Sequence, residues 1–158
     1  MTLIAGYWAL SLTLLASMIL AVFPLSSQYQ WFRPEWTAMV IIYWAATSPR
    51  RVSVGVAWLT GLVLDGVQGV TLGQNALGLV VIAYVANVLH QRMRHFALVQ
   101  QACLVFVLVG LHLLLGYWVQ SLVSAPAKNL YFLGAALTSA LLWPWFEPIL
   151  GAIRRALR

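Results

Sequence analysis

The chain has 158 residues, of which 63% are hydrophobic and 8% charged, with a mean hydropathy of +0.89. Soluble domains carry about 25% charged residues, and a water-soluble fold of this length exposes too much surface to hide so apolar a chain. The composition therefore excludes an ordinary soluble domain and points to an integral membrane protein.

Six hydrophobic runs follow one another. They are Leu3–Phe23, closed by Pro24; Trp36–Thr47, closed by Ser48-Pro49-Arg50-Arg51; Val52 to Leu64 or Val70; Leu72–Leu89, closed by His90-Gln91-Arg92-Met93-Arg94-His95; Phe96–Val123, closed by Ser124 to Lys128; and Leu130–Ile149, followed by Arg154, Arg155 and Arg158. None alternates as a strand does, and lipid accepts only helices or closed barrels. The expectation is an all-α, polytopic integral membrane protein: a compact bundle of six transmembrane helices forming one domain over residues 1–158. The first run lacks a basic leader and an A-x-A-like cleavage site, so it reads as a retained helix. The second is short, with about 18 Å of helix at 1.5 Å per residue against a hydrocarbon core of about 30 Å. It must extend through its flanks, thin the bilayer, or be sheltered by its neighbours.

The formal charge is +6, and the basic residues sit in short clusters between apolar runs. That is a topology signal, not a nucleic-acid surface. With a cytoplasmic N-terminus and six crossings, the inner segments hold Arg50, Arg51, Arg92, Arg94, Arg154, Arg155 and Arg158. The outer loops hold only Arg33 and Lys128. Both termini are thus expected in the cytoplasm. Arg50, Arg51, Arg92 and Arg94 serve topology, or also touch anionic lipids and cytoplasmic partners. Trp8, Trp31, Trp36, Trp118, Trp143 and Trp145 fall near predicted helix ends, as interfacial anchors do.

Small residues recur every four positions in the first run (Ala5, Ala9, Thr13, Ser17, Ala21) and the third (Ser53, Ala57, Gly61). Such spacing stacks them on one helix face, where backbones approach closely in lipid. Run six offers Gly134 with Thr138 and Ala135 with Ser139. These faces suit burial against sister helices, or docking of a partner's membrane helix, for which the first run is the best candidate.

Asp65 extends the face of the third run. At about 20 Å along that helix it lies in the outer half of the bilayer, where a buried charge costs less than the ~3 kcal/mol of the bilayer centre. Two readings stand. In one, Asp65-Gly66-Val67-Gln68 is close to a capping box, with Gly66, Gly69 and Gly73 turning the chain. In the other, Asp65 organises a polar cavity or interface, with Arg33 as a possible ion partner. Glu35, Gln74 and Asn75 are further candidates at that level.

Catalytic and metal chemistry find little support. Cys103 is the single cysteine. His90 and His95 sit at a helix boundary, and His112 stands alone in the fifth run. Intramembrane aspartyl proteolysis needs two aspartates at one site, and the chain has one. No nucleophile elbow or phosphate loop occurs. No catalytic residue, metal ligand or cofactor is expected, and nucleic acid is not an expected partner.

Arg33-Pro34-Glu35-Trp36, Ile42-Tyr43-Trp44, GLVLDGVQGVTLGQNAL (Gly61–Leu77) and HQRMR (His90–Arg94) resemble the rod shape-determining MreD family of Gram-negative bacteria. The resemblance implies a non-enzymatic inner-membrane component of the cell-elongation machinery. It implies pairing with MreC, which has one membrane helix and a periplasmic domain. It further implies indirect connection to MreB filaments, the glycosyltransferase RodA and a class B penicillin-binding transpeptidase. The family is described as similar in fold to the substrate-binding subunits of energy-coupling-factor vitamin transporters. A vitamin-like ligand in a membrane cavity is therefore the alternative expectation.

Overall fold

The computed structural model describes residues 2–124 and 132–157, with side chains from residue 5 onward. Lys128, the expected Leu130 start of the sixth run, and Arg158 lie outside the described residues. The elements are α1 (Thr2–Val22), a 3-10 turn (Gln30–Phe32), α2 (Trp36–Thr47), α3 (Val54–Gln68), α4 (Gln74–Met93), α5 (Leu98–Val123) and α6 (Phe132–Ala156). All secondary structure among the described residues is helical.

Stretches in four of the six helices, Ala5–Val22, Gln74–Met93, Leu98–Val123 and Phe132–Ala156, are long and apolar enough to cross a membrane. α3 is a shorter apolar helix. α2 is shorter still, at 12 residues, and its surroundings explain how so short a helix is accommodated. Every residue from Thr37 to Ala46 is buried, and α1, α4, α5 and α6 all pack against it. A helix that is apolar all round has no solvent face and belongs at the centre. α2 is therefore a sheltered core helix, enclosed by longer neighbours.

Two helix ends run past the apolar runs. α4 continues through His90, Gln91 and Arg92, and α6 continues beyond Pro144 and Pro148 to Ala156. Arg and Gln are good helix formers, so hydropathy stops before the helix does.

The polar groups of the core are paired across helices. The Trp44 indole donates to Thr13 Oγ1 at 3.0 Å, tying α2 to α1. The Trp143 indole donates to Gln101 Oε1 at 3.1 Å, tying α6 to α5. Trp143 is buried in the core, which corrects its expected place at the interface: its N–H finds a partner inside the bundle. Trp8, Trp31, Trp118 and Trp145 remain exposed.

Candidate functional site

The α3–α4 hairpin organises the end of the bundle opposite the arginine clusters. α3 ends at Gly69, whose φ of 66° is the left-handed conformation that glycine adopts at least cost. Gly73, at φ 96°, opens α4. Gly61 seats the α4 backbone: a Cβ there would run into Ala76 Cα. One turn further along α3, Asp65 is fully buried.

Asp65 Oδ2 accepts the backbone N–H of Gly73 at 2.8 Å and of Ala76 at 3.4 Å. Oδ1 accepts the N–H of Asn75 at 2.8 Å. The carboxylate thus occupies the N-terminus of α4, where orphan donors and the helix dipole favour a negative charge. Asp65 is a cap, but not of its own turn. It lies inside α3, and Gln68 accepts from Asn75 Nδ2 at 2.9 Å, not from the Asp65 backbone. The expected Asp65–Gln68 capping box is replaced by a clamp from α3 onto the next helix.

The proposed Asp65–Arg33 pair is also corrected. Arg33 Nη2 donates to the Leu20 carbonyl at 3.0 Å. It serves a carbonyl in the last turn of α1 instead.

Glu35 joins a different group. Its backbone N–H donates to Ser139 Oγ at 3.0 Å, and Ser139 Oγ donates to the Ala135 carbonyl at 2.7 Å. Its carboxylate faces buried His112, with Oε2 3.9 Å from Nε2. His112 packs over Gly78 of α4, where a Cβ would meet the imidazole. The sequence showed His112 as a lone histidine; Glu35, remote in sequence, gives it a neighbour.

Between these groups lies a cavity of about 290 Å³. Its walls include Gln74, Asn75, His112, Tyr117 and Gln120. The Tyr117 and Phe132 rings stack beside it at 5.9 Å. Of the sequence candidates, Asp65, Gln74 and Asn75 come together at the α4 N-terminus, Glu35 meets His112 of the cavity wall, and Arg33 is bonded to the end of α1. Tyr117 and Gln120 were missed, because a single Gln or Tyr in a long apolar run gives no periodic signal.

The small-residue faces turn inward. Ala9, Thr13, Ser17 and Ala21 are buried, and Ser17 Oγ reaches Thr37 Oγ1 at 3.5 Å. Ala5 is half-buried, Ala57 and Gly61 are buried, and Ser53 is exposed, its Oγ accepting the Val56 N–H at 3.4 Å to cap α3. The opposite face of α1 presents Trp8, Leu12, Leu15 and Ile19 outward.

At the arginine-bearing end, Arg94 Nη2 donates to the Thr47 carbonyl at 2.9 Å, capping α2. The Arg51 guanidinium lies 5.9 Å from the Tyr7 ring centroid and packs against Gly6. Arg50 and Arg92 are exposed.

A bundle of apolar helices, with a buried carboxylate spent on a helix end and basic residues gathered at one pole, defines a multi-pass membrane protein. The sequence model of the family "rod shape-determining protein MreD" matches residues 2–152. A rod shape-determining protein MreD from Haemophilus influenzae is 30% identical over 142 residues, covering 90% of this chain and 88% of that protein. The chain belongs to the MreD family, and its role lies in rod shape determination. No solved structure matches it.

Proposed function

We propose that the chain is a non-enzymatic scaffold of the bacterial cell-elongation machinery that binds MreC and helps regulate peptidoglycan synthesis. It sits in the cytoplasmic membrane as one domain, with both termini in the cytoplasm, six membrane-embedded helices and the arginine clusters inside. Through MreC it connects to MreB, RodA and a class B penicillin-binding transpeptidase. The observation that carries this reading is the family match over residues 2–152. The geometry is compatible with it: both Asp65 oxygens accept backbone N–H groups of α4, a structural use of that carboxylate.

The MreC membrane helix belongs, on this proposal, in the groove between α1 and α3. Two apolar cavities lie along it, one lined by Leu15, Ile19, Val63 and Val67 and the other by Trp8, Leu14 and Val56. The small-residue face of α1 is occupied within the chain, so the docking surface moves to its large apolar face. Packing and shape, not hydrophobic burial, drive helix association in lipid, and a groove between two helices supplies shape.

A second reading rests on the 290 Å³ cavity lined by Gln74, Asn75 and Gln120: a vitamin-like ligand held as in energy-coupling-factor subunits. Co-purification from detergent distinguishes the two. A stable complex with MreC supports the scaffold. A partner-free protein that carries a small molecule, seen by mass spectrometry, supports the alternative.

A further inference from the structure

The arginine-bearing end of the bundle contains a second cavity, of about 190 Å³, lined by Tyr43, Thr47, Arg94, Gln101, Trp143 and Glu147 among others. Its floor is internally satisfied. Gln101 Nε2 donates to the Met93 and Phe96 carbonyls, both at 3.2 Å, and Gln101 Oε1 accepts from Trp143. The Tyr43 hydroxyl of its wall is buried without a hydrogen-bond partner, as is Arg154 Nε, which stands beside the Tyr43 ring and outside the cavity lining. Tyr43 is 1% exposed.

The charges converge on that hydroxyl. The Arg154 guanidinium lies 5.9 Å from the Tyr43 ring centroid. Tyr43 Oη and the Arg155 guanidinium both border Gly151, each 3.6 Å from where a Cβ would stand. Glu147 lines the same cavity as Tyr43, and it forms no ion pair among the described residues. Buried polar groups in proteins are nearly always satisfied. A buried phenol and a buried guanidinium N–H, both donors, ask for an acceptor. Arg94 and Arg155 add positive charge, as a phosphate requires. Glu147 in the lining disfavours a multiply charged anion and matches an ammonium.

We propose that this cavity holds the phosphate and ammonium of a phosphatidylethanolamine headgroup. Tyr43 and Arg94 of the lining receive the phosphodiester, Arg154 and Arg155 beside Tyr43 add positive charge behind it, and Glu147 receives the ammonium. A lipid is favoured over a soluble phosphoethanolamine because the site stands at the end of the bundle where headgroups lie. On the same helix as Glu147, Trp145 and Ile149 are exposed and offer an apolar surface to acyl chains. This inference is independent of MreC binding.

The test uses the full chain, delipidated in detergent and titrated with phosphatidylethanolamine, phosphatidylglycerol or free phosphoethanolamine, with native mass spectrometry and thermal stability as readouts. Wild type binds phosphatidylethanolamine about 10-fold more tightly than phosphatidylglycerol, the ratio expected of one charge-assisted contact. Tyr43→Phe weakens phosphatidylethanolamine about 3- to 10-fold, as loss of one hydrogen bond does. Glu147→Gln keeps phosphate binding and loses the preference between the two lipids. Should Tyr43→Phe fail to fold, Arg155→Gln, at an exposed position, reports the same loss for both lipids. Equal binding of the two lipids by wild type, or an unchanged preference in Glu147→Gln, overturns the proposal. Free phosphoethanolamine binding as tightly as the lipid overturns the lipid assignment.

Discussion

Asp65 Oδ1 accepts the backbone N–H of Asn75 at 2.8 Å, ten residues further along the chain. The bond joins the last turn of α3 to the first turn of α4. With the bond to Gly73 it engages both carboxylate oxygens. Asparagine offers only one oxygen, and its NH₂ would face a backbone donor. As an ordinary cap Asn equals Asp; here it does not. Asp65→Asn is expected to destabilise the protein by about 1.5–3 kcal/mol, the worth of a charge-assisted hydrogen bond, and Asp65→Ala by more. Thermal unfolding of the purified variants in detergent checks this. Wild-type stability of Asp65→Asn would mean that a single acceptor suffices.

Glycines of α3 separate close approach from open space. At Gly61 a Cβ would collide with Ala76 Cα, whereas at Gly66 nothing lies within 4 Å. Gly61→Ala must push α4 outward and disturb the Asp65 clamp. It is expected to cost about 1–3 kcal/mol, the range for overpacking. Gly66→Ala is expected to be neutral or to stabilise by about 0.5–1 kcal/mol, since Gly in a helix costs that relative to Ala. Unfolding midpoints of the two variants, compared in one detergent, check the contrast.

Trp44 and Thr13 form a buried pair at 3.0 Å. Thr13→Val keeps the shape and leaves the indole N–H unpaired, at an expected cost of about 1–3 kcal/mol. Trp44→Phe removes the donor as well. In a double-mutant cycle the two changes should be non-additive, with a coupling of about 0.5–1.5 kcal/mol. Strict additivity would show that the bond contributes nothing.

Much of this architecture was legible from the residues. The run Trp36–Thr47 coincides with α2, and its length alone raised the question that its burial answers. Ala9, Thr13, Ser17 and Ala21 pointed to a packing face, and that face is buried in the structure. The placement of Asp65 at a glycine-bearing turn was also visible, as was the nearness of Gln74 and Asn75. Its bond partners were not. Capping rules look a few residues ahead, and here the accepting carboxylate and the donating N–H groups belong to different helices. Arg33 failed as its partner for the same reason: sequence gives a level in the bilayer, not an azimuth around the bundle. His112 beside Glu35, and Tyr43 beside Arg154 and Arg155, are long-range meetings that no local pattern encodes. Trp143 was misplaced because position near a run's end says nothing about which face its ring takes.

Docking of the MreC membrane helix in the α1–α3 groove, as proposed, is open to disulfide cross-linking. With Cys103 replaced by serine, single cysteines are placed at Leu15 and Val63 in the groove, and at Val107, an exposed position on α5. Each is co-expressed with MreC carrying a cysteine in its membrane helix. Disulfide-linked MreC is expected at Leu15 and Val63 and none at Val107. Cross-links at Val107 with none in the groove, or no MreC captured at any position, would contradict it.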